Sequence, residues 1–132
     1  MNNAYEILTT SQNFVVAGIN NKPDKYAYRI YKLLEEKGKQ VIGVNPNYTE
    51  IEEKTVYPSI SEVPGSIDIV VMVVNPKIGI HMLEAIKEKG AKVLWLQPGT
   101  MNDALLAKAK ELELNVIEAC VLAVYAINEP KA

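Results

Sequence analysis

One cysteine and one histidine, Cys120 and His81, are all that this sequence offers to thiol or imidazole chemistry. A single cysteine excludes an internal disulfide and a thiolate-rich metal site, and a lone histidine leaves little for zinc or for a Cys-His nucleophile pair. His81 sits in a helical pattern with Met82, Leu83 and Ile86 and reads as a surface or boundary residue, not a base. Glu118 ends an apolar run without a titratable partner, which general acid-base chemistry needs. The groups in surplus are amides. "GINNKP", "NPN", "NPK" and "QPG" each set Asn or Gln beside Pro or Gly, so that Asn20, Asn45, Asn75 and Gln97 each offer two donors and an acceptor without charge. Such side chains read a polar, extended ligand, and the prolines add rigid apolar wall.

Cations complete the set. Between Lys22 and Lys39 stand six (Lys22, Lys25, Arg29, Lys32, Lys37, Lys39) against three acids (Asp24, Glu35, Glu36), a local surplus in a chain of net charge -2. Lys32, Lys37 and Lys39 read as a solvated face. Lys22, Lys25 and Arg29 fall in a loop and the first turns of a helix, where a phosphate meets unpaired backbone N–H groups.

The elements that must position these residues follow from periodicity. Apolar, β-branched runs predict five strands: Asn13–Ile19, Gln40–Val44, Asp68–Val74, Lys92–Gln97 and Asn115–Ala119. Between them, 3.6-residue patterns predict a helix over Lys25–Lys37, capped by Asp24 and closed by Gly38. A second runs from the Asn75–Pro76 pair to about Lys89, and a third runs from Thr100 to about Leu112. Ser59 and Glu62 have capping-box spacing and predict a short helical turn before Pro64. Strands alternating with helices require right-handed crossovers and a parallel sheet. The expectation is an α/β, three-layer Rossmann-like fold, a five-stranded parallel sheet of order 3-2-1-4-5 with helices on both faces. Its switch point lies between the first and fourth strands. All the amide-bearing loops then meet at the carboxyl edge.

At 132 residues, 48% hydrophobic and 23% charged, the chain fits one domain with a core of its own. Its balance of charge predicts no nucleic-acid partner and no membrane surface, and its start shows no signal-peptide pattern, so a cytoplasmic protein is expected. The apolar tail Val121–Ile127 either completes the core or forms a homo-oligomer contact.

A nicotinamide dinucleotide would require G-x-G-x-x-G and an acid at the end of the second strand. Here the glycines reduce to Gly18, and Asn45 stands where the acid belongs. A Walker loop is also absent. "VVAGINNKPDKYAYRIYKLLEEKGKQVIGVNPN", "VYPSISEVPGSIDIVVMVV" and "GAKVLWLQPG" together resemble the small stand-alone CoA-binding proteins, whose domain is similar to the CoA-binding domain of the succinyl-CoA synthetase α subunit. That resemblance, from about Phe14 to Cys120, implies binding of coenzyme A or an acyl-CoA at the strand ends, without established catalysis by the isolated domain.

Carried over by position, the resemblance places Gly18 under the ligand's diphosphate, with Ile19 beside it as a further binding position, and Asn20, in a place often held by serine, and Lys22 following. Tyr28 and Arg29 match a "YR" pair, Arg29 as phosphate partner. Val44, Asn45 and Pro46 border the adenine, Asn75 follows the third strand, and Gln97 and Gly99 lie near the pantetheine. Relatives carry an aromatic residue and an arginine after the third strand, where this chain has "NPK" with Lys77 as the available cation; their "M-D-R-C" is here "IEAC". Tyr26, Tyr28 and Tyr31 read as packing residues, Tyr28 lying close enough to the loop to be a stacking candidate, and Trp95 as core or pocket floor. Cys120 reads as structural. The competing functions are a nicotinamide-dependent enzyme, acyl transfer or thiol exchange through Cys120, and an interaction protein that has lost its ligand.

Overall fold

The apolar runs become a seven-stranded sheet in the computed structural model, which describes residues 3–129. The strands are β1 (Asn13–Ala17), β2 (Gln40–Val44), β3 (Glu50–Ile51), β4 (Lys54–Tyr57), β5 (Ile69–Met72), β6 (Val93–Leu96) and β7 (Val116–Glu118). Their order is β3-β4-β2-β1-β5-β6-β7. Every neighbouring pair is parallel except β3 with β4, a tight antiparallel hairpin turning through Glu52 and Glu53, both at positive φ.

This corrects the expected five-stranded sheet of order 3-2-1-4-5. The run expected as the third strand, Asp68–Val74, becomes β5 and pairs with β1 in register from Phe14↔Ile69 to Ala17↔Met72. The place outside β2 belongs to β4, whose "KTVY" buries only Val56. Taken alone and in chain order, the six parallel strands run 3-2-1-4-5-6, the doubly wound arrangement. The switch point therefore lies between β1 and β5, one strand earlier than expected.

Six helices flank the sheet among the described residues: α1 (Ala4–Thr10), α2 (Tyr26–Glu36), α3 (Pro76–Gly79), α4 (Leu83–Glu88), α5 (Asp103–Glu111) and α6 (Val121–Asn128). Successive strand residues face opposite sides. Phe14, Val16, Val71 and Trp95 pack against Leu8 of α1, Ile30 and Leu34 of α2, and Val121 and Tyr125 of α6. Val15, Ala17, Val70, Met72 and Leu96 pack against Leu83 and Ile86 of α4 and Leu105 and Ala109 of α5. Each such Val, Leu, Ile, Phe or Met side chain contributes about 1.5–3 kcal/mol by leaving water. The central strands, covered on both faces, read as unbroken apolar runs for that reason.

Several helix boundaries differ from expectation. The N-cap of α2 is Lys25, with no side-chain cap, instead of Asp24. Asn102 caps α5 by accepting from Leu105 N at 2.8 Å, whereas Thr100 donates to the Gln97 carbonyl at 2.6 Å inside the preceding turn. Asn75 caps α3 as expected, accepting from Ile78 N at 3.1 Å. The helix expected to continue to Lys89 is interrupted by a 3-10 turn at Ile80–Met82 before α4. Ser59 and Glu62 bound a 3-10 turn, but the Ser59 hydroxyl meets the Glu62 carboxylate at 3.4 Å and caps nothing.

At the amino edge of the sheet, Asp68 accepts from the backbone N–H groups of Gln12 and Asn13, each at 2.9 Å. The Asn13 N–H above all, with that of Gln12 and the nearby Lys92, holds its carboxyl below the usual carboxylate range. A hollow of about 350 Å³ opens beside it, walled by Gln40, Ser66 and Ile67. Close by, the Tyr5 hydroxyl donates to Glu129 at 2.5 Å, Lys37 pairs with the same carboxylate, and Lys37 lies 5.1 Å over the Tyr125 ring. The Tyr125 hydroxyl is buried without a partner among the described residues, and its pKa is pushed up to about 12, chiefly by burial. No helix among the described residues is long and apolar enough to cross a membrane.

Candidate functional site

The carboxyl edge gathers the loops that carry the amides. β1 is followed by Gly18, whose N–H donates to the Val44 carbonyl at 2.8 Å while Val73 N donates to the Ala17 carbonyl at 2.9 Å. The strand is thus held on both sides up to its last residue. Gly18 then turns at φ +102°. A Cβ there would stand 2.7 Å from Val74 Cγ1 and 3.0 Å from the Val73 carbonyl oxygen, so only glycine fits. Ile19 is fully buried over Gly43, where an added Cβ would lie 2.7 Å from Ile19 Cγ2.

Two hollows follow the edge, one on each side of the β1–β5 junction. The first, about 150 Å³, is lined by Gly18, Val44, Asn45, Pro46, Asn47, Val74, Ile78 and Met82. It opens into a groove bounded by Pro46, Pro58, Ile78 and the exposed His81. Asn45 braces it: its Nδ2 donates to the Ile19 carbonyl and its Oδ1 accepts from Asn47 N, both at 2.8 Å. The second, about 180 Å³, is lined by Tyr26, Val73, Gln97, Pro98 and Cys120. Gln97 is only 3% exposed there, and its Oε1 accepts from Val121 N at 2.8 Å.

The basic turn stands between the hollows. Asn20 Oδ1 accepts from Lys22 N at 3.0 Å, shaping the loop, and Lys25 N donates to the Lys22 carbonyl at 3.0 Å. α2 then begins without an acid in its first turn. Lys22, Lys25 and Arg29 are exposed and enter no salt bridge among the described residues. Arg29 lies 5.4 Å over the ring of Tyr26, which is 57% exposed at the mouth of the second hollow. This arrangement presents positive charge and open backbone donors to an anion between two partly apolar recesses.

Most of the residues singled out from the sequence therefore meet at one rim: Gly18, Ile19, Asn20, Lys22, Arg29, Val44, Asn45, Pro46 and Gln97. Gly99 sits exposed in the turn after Gln97 at φ +87°. Asn75 spends its oxygen on the cap of α3, and Lys77 is exposed on that helix. Tyr28 points elsewhere. Its hydroxyl donates to Glu52 of the β3–β4 turn, where Lys32 also pairs at 2.8 Å, and the bond to Glu52 is the main cause of its raised pKa.

Tyr26, expected to pack, instead stands exposed at the mouth of the second hollow. Its i,i+3 spacing from Arg29 was the signal available, since that spacing puts both on one helix face. Tyr31 and Trp95 are buried as expected, Trp95 Nε1 donating to the Ala119 carbonyl at 2.8 Å. Cys120, read as structural, is half-buried and borders the second hollow. Among the described residues no group of three or more His, Cys, Asp or Glu side chains is placed to hold a metal ion.

Residues 12–126 match the model of a family described as CoA binding domain. The Bacillus subtilis (strain 168) protein YneT is 29% identical over 125 residues, 94% of this chain and 93% of that one. The Pyrococcus furiosus acetate–CoA ligase (ADP-forming) II subunit alpha is 32% identical over 105 residues, which are 78% of this chain but 23% of the subunit. Among solved structures, Prb, the PH1109 protein redesigned for binding, superposes with a TM-score of 0.90 at 31% identity, covering 97% of this chain and 91% of that one.

Proposed function

The chain belongs to the CoA binding domain family, and from that premise we propose that it binds coenzyme A or an acyl-CoA along the carboxyl edge, as a carrier or sensor without turnover. The observation that carries the reading is the turn from Gly18 into α2. A glycine that brings the backbone close to a ligand is followed by a helix start free of acids, with Lys22, Lys25 and Arg29 unpaired among the described residues. That turn suits a diphosphate, which side-chain cations neutralise where a glycine-rich nest would use its amides. The hollow at Val44, Asn45 and Pro46 suits the adenosine, and the one at Tyr26 and Gln97 suits the pantetheine. Gly18, Asn20, Lys22, Arg29, Val44, Asn45, Pro46, Gln97 and Gly99 are the proposed contacts, with Ile19 buried beneath the turn as its support. Tyr28 and Asn75 act one step removed, through the hairpin and the α3 cap.

A nicotinamide dinucleotide is a poorer fit. The first hollow has no carboxylate for ribose hydroxyls, and Asn45, in the acid's place, spends both ends of its amide on the rim itself.

A thermal-shift series tests the reading. A ligand at 100 times its dissociation constant stabilises a fold by about 2.7 kcal/mol, here about 10 °C. CoA raises the midpoint and NAD does not. Arg29→Ala removes most of the response while leaving the free protein within about 2 °C, since an exposed cation–π contact contributes only about 0.5–1 kcal/mol. No response to CoA, dephospho-CoA or an acyl-CoA at millimolar concentration refutes the proposal.

A further inference from the structure

The second hollow contains the one thiol of the chain, and the amide beside it is turned in a direction that its own hydrogen bond fixes. Gln97 Oε1 accepts from Val121 N at 2.8 Å. A backbone N–H requires an oxygen there, so Nε2 is the end left over. That Nε2 makes no hydrogen bond among the described residues, although Gln97 is only 3% exposed and lines the hollow with Cys120. An amide nitrogen without a hydrogen-bond partner, on a side chain that lines a recess, is set to donate to an acceptor brought in from outside. Cys120 borders the same recess from the N-cap of α6, half-buried and free. Val73 and Pro98 supply the remaining wall.

We propose that Cys120 is an acyl acceptor, taking the acyl group from the thioester of an acyl-CoA held along the carboxyl edge. The proposal rests on the reading above that this edge binds CoA. The span suits it. From β2, at the first hollow, to β7, at the second, lie four strand spacings, about 19 Å, so an elongated ligand reaches from one recess to the other across the basic turn. In the step itself, the Cys120 thiol gives its proton to water and the sulfur attacks the thioester carbon. The carbonyl oxygen takes up charge facing Gln97 Nε2, an N–H donor of the kind that stabilises such an oxyanion. The carbon–sulfur bond to CoA then breaks, and CoA leaves as a thiolate that takes up a proton. One thioester and one thiol become another thioester and another thiol, so no oxidant or reductant enters. No base is needed for a single transfer, because holding thiol and thioester together replaces a bimolecular encounter. Tyr26, at the mouth of the recess, bears on which acyl chain enters.

The test is intact-mass spectrometry of the full chain incubated with acetyl-CoA, alongside the thermal shift with CoA. The expected result is one acetyl group per chain, released by neutral hydroxylamine, absent in Cys120→Ser and slowed by excess CoA. Gln97→Glu keeps the acceptor for Val121 N and removes the donor, so it slows acylation about 10- to 100-fold. If that variant fails to fold, Cys120→Ser, which changes one atom, still decides the site. A chain whose midpoint rises with CoA but which gains no acetyl group overturns the acceptor and leaves CoA binding standing. Labelling as fast in the heat-unfolded chain also overturns it, because proximity then contributes nothing. A chain that shows neither shift nor adduct refutes the binding reading and the acceptor with it.

Discussion

Three glycines separate backbone strain from close packing at the rim, and alanine at each gives a graded prediction. Gly99 stands at φ +87° with nothing within 4 Å of an added Cβ, so Gly99→Ala costs only the left-handed backbone, about 1–2 kcal/mol. Gly43 lies within β2 at no positive φ, but its Cβ would sit 2.7 Å from Ile19 Cγ2, and Gly43→Ala costs about 1–3 kcal/mol in overlap. Gly18 carries both penalties, at φ +102° and 2.7 Å from Val74 Cγ1, with a carbonyl oxygen at 3.0 Å that cannot rotate away. Gly18→Ala therefore costs about 2–5 kcal/mol. For 132 residues the unfolding entropy is about 0.28 kcal/mol/K. The midpoint falls by about 7–18 °C for Gly18→Ala and about 4–7 °C for Gly99→Ala, read by circular dichroism or calorimetry. Equal losses for the two would refute the argument, because Val73 and Val74 would then be giving way and the tight approach would not constrain the loop.

Asp68→Asn destabilises the fold by about 1–3 kcal/mol at neutral pH, since two backbone N–H groups lose a charged acceptor. Because the folded carboxyl titrates below its unfolded value, the wild-type advantage is full above about pH 5. It declines below about 3.9 and is gone once the pH has passed the lowered native value; parallel melts from pH 2 to 7 check this. Asn45→Ala removes the brace between the β1 and β2 ends and lowers stability by about 1–2 kcal/mol, and the CoA response weakens with it in the same thermal-shift series. Tyr125→Phe deletes a buried hydroxyl without a partner among the described residues, so denaturant unfolding shows no loss and up to about 1 kcal/mol of gain.

The central architecture was legible in the sequence because β1, β5 and β6 are buried on both faces and are spelled by unbroken apolar residues. β4 was not, since "KTVY" has a single buried residue and gains its identity only by pairing with β2. Missing it displaced the strand order and the switch point together. α6 was ambiguous for the opposite reason: "VLAVYAIN" is apolar nearly all round, so no period marks the face that Val121 and Tyr125 bury. The rim could be read because each loop after a parallel strand carries its own Asn, Pro or Gly. Tyr28 could not be placed, because its partner Glu52 lies in the hairpin that the pattern did not show.

The contact of Tyr5 with Glu129, reinforced by Lys37, closes the first described helix onto the last. Residues 124 positions apart meet at the end of α2 remote from its first turn. The first and last described helices are thus tied together near the amino edge of the sheet, on the side opposite the rim. Strain applied at that seam therefore falls on α1, α2 and α6 and not on the loops of the rim.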